Sequence, residues 1–434
     1  MRRIAPAFSF RAAEAFLNGF TNYEKKGSFT LRRGDLARVR RLLALLGDPQ
    51  RGLPALRVTG SKGKGTTCLI LETLLSRAGL KVGTYLSPHL ECVTERIRVG
   101  GRQISRARFA DALGEIAAAV EALPSPPTYF EILTALAWHV FRREQVDAAI
   151  IEAGIGGKLD ATACCEAALG VVTSIEKEHT EILGRTEAAI TRQKIGIGRR
   201  GAPLLTGPLA PRLRAVAAAE ARRIGARLIP WHAAIAFAYE GGKASIASRG
   251  KLPAFSAELA APDRAFAVNA ALALGACALF LGGLPRGAAR AAERVHLPGR
   301  KEVFPGAPPV LIDVAHTRRS LAALGATIAA RFPGRRTAVI VALSRDKDAA
   351  RLLPVVARFA GALICVRADP VRGASAEDLR RLSRHPRAAV AADINAALAR
   401  ARRLAGANGL VCVCGSFAAA GQARTLMRRE RRAR

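Results

Sequence analysis

Apolar positions along the chain switch between two periods. Phe10, Ala13, Phe16, Leu17 and Phe20 recur at helical spacing, and so do Leu36, Val39, Leu42, Leu43 and Leu46, with arginines on the opposite side. These patterns predict helices over 9–20 and 36–46. Short apolar runs bounded by glycine or proline predict strands at Leu56–Val58, 81–85, 145–152, 170–175 and 202–206. Between them, helical periodicity covers 67–78, 108–123, 128–142, 186–195, 212–224 and the alanine-rich 265–281. Residues 248–260 read as a short β excursion. Beyond a break at His296–Arg300 the alternation restarts, with strands at 310–313, 337–342, 362–366, 388–391 and 409–414. Strand, helix, strand in succession implies parallel sheets with crossover helices. Two domains are expected, 1–297 and 298–434.

The candidate chemistry gathers at predicted strand ends, where such sheets bind ligands. The stretch LRVTGSKGKGTT, residues 56–67, runs from a strand through Gly60, Ser61, Lys62, Gly63, Lys64 and Gly65 into a helix near Thr66. Glycines allow tight turns whose N–H groups face inward, and a helix start adds its own free N–H groups. Lys64 can reach terminal phosphates, and the Thr66 hydroxyl can reach a metal ion. The spacing G-x-x-G-K-G-[ST] departs from the usual G-x-x-x-x-G-K-[ST], but strand before, lysine inside and helix after point to nucleotide phosphate. Ser87 lies just past the second strand in LSPHL, and Glu152 closes the strand QVDAAIIE. A hydroxyl and a carboxylate beside a phosphate loop suit Mg²⁺, which prefers oxygen ligands. His179 follows the next strand, Lys194 falls near the end of the 186–195 helix, and Asn269 is the one polar residue of 265–281. The fold class is therefore α/β: a P-loop-type, mostly parallel sheet flanked by helices, followed by a smaller Rossmann-like α/β domain.

Charge complicates this picture. Of 434 residues 68 are Lys or Arg and 34 Asp or Glu, a net charge of +34. Such a field attracts polyanions. The arginines are spread along helix faces and aromatics make up only 5%, so nucleic acid is not the expected partner. The tail MRRERRAR, 427–434, reads as an acid-binding or disordered end. The eight cysteines include no C-x-x-C pair, which argues against a zinc site or redox motif and for reduced thiols. No run of 18 apolar residues or secretory leader is evident. A cytoplasmic, monomeric protein without membrane association is expected.

Taken together, the motifs resemble the folylpolyglutamate synthase / dihydrofolate synthase family, a branch of the ATP-dependent Mur ligases. The resemblance runs from about Phe20 to Ala419. It rests on VTGSKGKGTT (58–67), YLSPHL (85–90), ERI (95–97), TYFEILTALA (128–137), IIEAGIGGKLDAT (150–162), EHTEILG (178–184), QKIGI (193–197), PGR (298–300), DVAHT (313–317), RDKD (345–348) and CGSF (414–417), in order. It implies a ligase that uses ATP to convert a pterin carboxylate to an acyl phosphate, which the amine of L-glutamate then attacks. The pterin would be dihydropteroate or a reduced folate. The resemblance further implies that the Gly60–Thr66 loop holds the phosphates of ATP, and that Ser87, Glu152 and His179 ligate Mg²⁺. Lys194 matches a lysine carbamylated by CO₂. Asn269, Arg300 and Asp313 match ATP-binding positions, with His316 just beyond them. Lys64, Lys194, His179 and His316 form the implied catalytic set, while Thr128 and Ser87 lie toward the pterin. A cleft between the two domains is expected to hold ATP.

Several positions depart from the family pattern. Val314, Thr317 and Arg318 stand in a loop that usually reads D-G-A-H-N-P, Glu178 stands for Asp, Gln193 for Glu, and Leu31–Asp35 (LRRGD) is atypical where the pterin should meet the chain. Two alternatives stay open. A cell-wall amino-acid ligase of the same superfamily would carry a further domain ahead of the phosphate loop, for which the 59 residues before Gly60 are too few. An impaired nucleotide- or nucleic-acid-binding relative would fit the altered 313–318 loop and the charge, but has no need of the combined lysine, carboxylate and histidine set.

Overall fold

The computed structural model describes residues 8–26 and 35–433. Of the atypical segment Leu31–Asp35, only Asp35, which opens the helix Asp35–Leu45, lies among them. The chain divides into two compact units. One comprises Met1–His89 and Thr94–Val295; the other comprises Leu90–Val93 and His296–Arg434.

The first unit is built on an eight-stranded sheet. Its strands are β1 (Ala55–Thr59), β2 (Val82–Tyr85), β3 (Ile97–Val99), β4 (Arg102–Gln103), β5 (Ala148–Glu152), β6 (Ala167–Val172), β7 (Pro203–Thr206) and β8 (Arg227–Pro230), in the order β4-β3-β2-β5-β1-β6-β7-β8. From β2 to β8 the pairings are parallel, and only the β3 and β4 edge is antiparallel. Strands β1, β2 and β5 are buried at every position, as expected where helices cover both faces. β1 sits centrally between β5 and β6, with Val58 opposite Glu152 and Thr59 opposite Val172. Parallel pairing puts the carboxyl ends of β1, β2, β5 and β6 on one edge. Four loops, at 60–63, 86–90, 153–160 and 173–179, therefore emerge side by side.

The periodicity reading did not reach β3, β4 and β8, and it took part of a three-stranded sheet for a short excursion. Residues 248–260 belong to an antiparallel sheet of β9 (Ile235–Glu240), β10 (Lys243–Ser248) and β11 (Ser256–Ala260). β9 and β10 turn on Gly241 and Gly242 at φ 55° and 80°, the left-handed pair that a tight hairpin requires. The helix Arg264–Leu281 is long and apolar enough by composition to cross a membrane. Here it packs against the helix Lys64–Arg77 and buries ten of its residues in the core.

The second unit has a six-stranded sheet of β12 (Glu302–Phe304), β13 (Val310–Ile312), β14 (Thr337–Val341), β15 (Ala362–Cys365), β16 (Ala388–Val390) and β17 (Leu410–Cys414), ordered β12-β13-β17-β14-β15-β16. β12 is an antiparallel edge that the sequence reading missed; the other five strands run parallel. The helix Phe417–Ala433 closes the unit, so the basic tail forms its last turns rather than a disordered end. Glu91, from the excursion Leu90–Val93, accepts from Thr425 Oγ1 at 2.7 Å and pairs with Arg424 and Arg428. All eight cysteines are free.

Candidate active site at the carboxyl edge of the first sheet

The glycine-rich loop is shaped by its neighbours. Gly60 has φ 149°, and a Cβ there would lie 1.9 Å from Thr173 Oγ1. Ser61 is buried; its N–H donates to the Ser174 carbonyl (2.9 Å) and its Oγ accepts from the Glu176 N–H (2.9 Å). The Lys62 N–H donates to Ser174 Oγ at 2.9 Å, and Thr173 Oγ1 donates to the Lys62 carbonyl at 2.6 Å. The loop after β6 therefore braces the loop after β1. Lys64 Nζ lies 3.1 Å from the Gly60 carbonyl, which holds the ammonium over the loop.

The helix begins at Lys64, two residues earlier than the sequence suggested, and Gly63 is its N-cap at φ 86°. Ser105, Thr128, Thr186 and Asp263 cap their helices with side-chain oxygens, but Gly63 offers no such oxygen. The first-turn N–H groups are thus left to an anion. Asn269 closes in from the neighbouring helix: a Cβ on Gly63 would come within 2.2 Å of its Oδ1.

Ser87 and Glu152 meet beside this loop. Glu152 is buried at the tip of β5, and its Oε2 accepts from the Ser87 N–H at 3.0 Å. Burial first, and then the charge of Glu152, raises the Cys68 thiol, which Lys64 opposes; carboxylate and lysine thus face the same stretch of helix. Among the described residues no three His, Cys, Asp or Glu side chains cluster as a metal site. What the structure brings together is the Glu152 carboxylate and the Ser87 backbone, and carboxylate and hydroxyl are the residue types that suit a hard cation.

His179 follows β6 in left-handed backbone, φ 46° and ψ 43°. Its neighbour Glu178 accepts from Lys194 Nζ at 3.0 Å. Lys194 is 2% exposed. Burial, reinforced by Lys64 and Lys62 and opposed by Glu178, brings its pKa down to about 8. Burial pushes Glu178 up, but Lys194 and Lys64 outweigh it and hold the carboxyl below its ordinary value. Burial, with Lys64 and Lys194, keeps the His179 imidazole below its ordinary value despite Glu178. Lys64, Glu178, His179 and Lys194 therefore form one electrostatic group, although 130 residues separate its ends. Glu178 is the member that sequence reasoning recorded only as a departure. Its spacing of 16 from Lys194 carries no signal until helix and loop are folded.

Asp160 was also missed as a working residue. Its Oδ2 accepts from the Gly154 and Ile155 N–H groups, both at 3.1 Å, and its Oδ1 from the Thr162 N–H at 3.0 Å. It thereby fixes the glycine-rich turn that follows Glu152. Thr128 acts structurally, forming with Glu131 a reciprocal capping box for the helix Tyr129–Arg143.

In the second unit, Arg300, Asp313 and His316 gather at the carboxyl ends of β13 and β17. Asp313 is buried and accepts from the Lys301 N–H (2.9 Å) and the Ala315 N–H (2.7 Å). Burial raises its pKa, opposed by Arg300. The Arg300 guanidinium sits 5.5 Å from the centre of the Phe417 ring, and the His316 ring is 6.1 Å from it. His316 Nδ1 lies 2.8 Å from the Val314 carbonyl, to which it donates. The two departures in DVAHT have structural reasons: Val314 fills the core, and Thr317 caps the helix Arg318–Arg331 with Ser320.

This architecture is that of the Mur ligases: the Mur ligase middle domain matches residues 58–201 and the Mur ligase glutamate ligase domain residues 299–417. The dihydrofolate synthase/folylpolyglutamate synthase of Escherichia coli is 32% identical over 94% of this chain and 94% of its own length. The chain belongs to the folylpolyglutamate synthase / dihydrofolate synthase family, as the order of its motifs indicated. The structure of E. coli FolC with DHPP and ADP superimposes with a TM-score of 0.85 at 30% identity, over 99% of this chain and 100% of that one. A bifunctional folylpolyglutamate synthase/dihydrofolate synthase from Yersinia pestis, complexed with AMPPNP and Mn ion, gives 0.83 at 29% identity over 99% and 100%. Curated relatives from Haloferax volcanii and Halobacterium salinarum are about twice as long; the chain spans 48% of each.

Proposed function

We propose that this chain is an ATP-dependent acid–amino-acid ligase that joins L-glutamate to dihydropteroate, to a reduced folate, or to both. The observation that carries this reading is the group Lys64, Glu178, His179 and Lys194 on a sheet edge that also presents an uncapped helix N-terminus and the Ser87–Glu152 pair. A carboxylate is a poor acyl donor. An oxygen of the pterin carboxylate attacks the γ-phosphorus of ATP, the bond to ADP breaks, and an acyl phosphate results. The glutamate nitrogen then attacks the acyl carbon, phosphate leaves, and the nitrogen gives up a proton. The chain supplies position and charge: loop N–H groups and Lys64 balance the phosphates as charge shifts. A divalent cation held by Ser87, Glu152 and His179 would neutralise further phosphate charge, and the depressed pKa of His179 keeps its imidazole neutral for that role.

Asn269, Arg300 and Asp313 are assigned to nucleotide binding, Thr128 to the pterin side, and His316 to the second unit's contribution. Lys194 is assigned to carbamylation by CO₂. A buried amine titrating near 8 keeps a reactive neutral fraction at neutral pH, and the pair with Glu178 opens for that step. ¹³C-bicarbonate followed by NMR detects a carbamate carbon in the wild type that is absent from Lys194→Arg.

The test is release of ADP from ATP with Mg²⁺ and glutamate, with dihydropteroate in one reaction and tetrahydrofolate in another. Release that needs both glutamate and a pterin is expected, and the productive pterin identifies the synthase. Folded protein that releases no ADP with either pterin overturns the assignment.

A further inference from the structure

Strand β1 carries a buried charge that the proposed reaction does not use. Arg57 lies three residues before Gly60, is 4% exposed, and belongs to a strand buried at all five positions. Among the described residues its hydrogen bonds go only to uncharged oxygens: Nη2 donates to the Gly157 carbonyl (2.8 Å) and Thr162 Oγ1 (3.3 Å), and Nη1 to the Ile197 carbonyl (3.2 Å). Among the described residues no carboxylate pairs with it, and its Nε is buried without a hydrogen-bond partner. Taking a guanidinium out of water without an opposing charge is costly. An apolar residue would satisfy the strand better, so the pattern of its three acceptors becomes the informative feature.

Those acceptors lie on two segments remote in sequence. Gly157 and Thr162 lie in the turn that follows Glu152, and Asp160 also holds that turn, through the Gly154, Ile155 and Thr162 N–H groups. Ile197 lies two residues past the helix Glu187–Ile195 that presents Lys194, and its N–H returns to the Lys194 carbonyl at 3.1 Å. The two segments are also in contact: a Cβ on Gly157 would sit 3.3 Å from Ile197 Cβ and 3.6 Å from the carbonyls of Gln193 and Lys194. The turn itself is tied back to β1, because Thr59 Oγ1 donates to the Gly156 carbonyl. A planar guanidinium can bridge two carbonyls with fixed direction, which a lysine ammonium cannot do.

We propose that Arg57 is a positioning residue that clamps the Gly154–Thr162 turn to the end of the Lys194 helix, setting Lys194 in register with Glu152 and the phosphate loop. Its catalytic consequence rests on the ligase reading; the clamp itself does not. Without the guanidinium, turn and helix end lose their common anchor, and Lys194 shifts relative to the loop. Misplacement of about 1 Å costs on the order of a hundredfold in rate.

The experiment compares wild type with Arg57→Met and Arg57→Lys, by amide hydrogen exchange and by steady-state ADP release. In Arg57→Met, exchange rises in the peptides covering 154–162 and 195–198 while peptides of the second unit stay unchanged. kcat falls roughly tenfold to a hundredfold with the KM for ATP within about twofold, since the Gly60–Lys64 loop keeps its own bracing from Thr173 and Ser174. Arg57→Lys retains one donor point and falls between the two. If Arg57→Met does not fold, Arg57→Lys is read the same way. A folded variant with unchanged exchange in both segments and kcat within about twofold overturns the proposal. So does exchange that rises uniformly over the first unit, which marks a core residue and not a clamp. Wild type that releases no ADP sinks the ligase reading alone, and the exchange pattern still decides the clamp.

Discussion

Lys194 and Glu178 show how one buried pair governs a site. Desolvation favours the neutral amine, and the Glu178 carboxylate 3.0 Å away pulls the other way. Glu178→Gln removes that opposing charge, so the lysine pKa drops below about 8; a titration by heteronuclear NMR that leaves it unchanged would deny the coupling. The sign for stability follows from proton counting. Lys194 titrates near 8 in the fold and at an ordinary 10.5 unfolded, so the unfolded chain binds more protons between those values. This group's contribution to stability therefore rises with pH across that window, and its penalty is fully present below it. Lys64 acts through charge on a phosphate, and Lys64→Ala is expected to lower kcat/KM for ATP by about 10²–10³, the loss typical of removing one such donor. A decrease under threefold would remove Lys64 from the machinery.

Helix starts divide into two kinds in this chain. Thr317 caps the helix Arg318–Arg331 with its hydroxyl and receives help from Ser320. Thr317→Ala should cost about 1 kcal/mol of stability in urea unfolding, while Thr317→Asn, an equally good cap, should stay within a few tenths. An equal cost for both would mean that capping is not what Thr317 does. Gly63 heads its helix without a side-chain oxygen, at φ 86° and against Asn269. Gly63→Ala forces a Cβ into both constraints; left-handed backbone alone costs on the order of 1–2 kcal/mol. The expected outcome is a large loss of affinity for ADP, read by isothermal titration, because the Cβ would displace the loop or Asn269. Wild-type affinity in this variant would contradict the tight approach.

Across the whole molecule the excess of 34 positive charges is a self-repulsion spread over both units. Exposed charges more than a Debye length apart, about 10 Å at 0.1 M, are screened by salt. The midpoint of thermal unfolding should therefore rise as NaCl increases from about 0.05 to 0.5 M. A fall would show that ion pairs such as Arg38–Glu131 and Arg96–Glu24 outweigh the repulsion. The two units also differ from a simple cut of the chain, because Leu90–Val93 leaves the first unit and is held in the second by the pairing of Glu91 with Arg424.

The period of apolar residues and the glycines that follow β1 and β5 determined much by themselves. They located the buried parallel strands, since a strand covered on both faces must be continuously apolar, and they placed Gly60, Ser87, Glu152 and His179 at strand ends, where parallel pairing collects loops. The family was legible in the order of its motifs. The hairpin of β9 and β10 was not, because half-exposed strands of small residues carry little period, although Gly241–Gly242 was an available signal. Nor was the meeting of Glu178 with Lys194, of Gly63 with Asn269, or of Arg57 with Gly157 and Ile197. Each joins residues whose separation in sequence carries no local period. Only the crossovers of the sheet and the packing of its helices bring them within hydrogen-bond or van der Waals reach, and only then do burial and charge give Lys194 its low pKa and Arg57 its three acceptors.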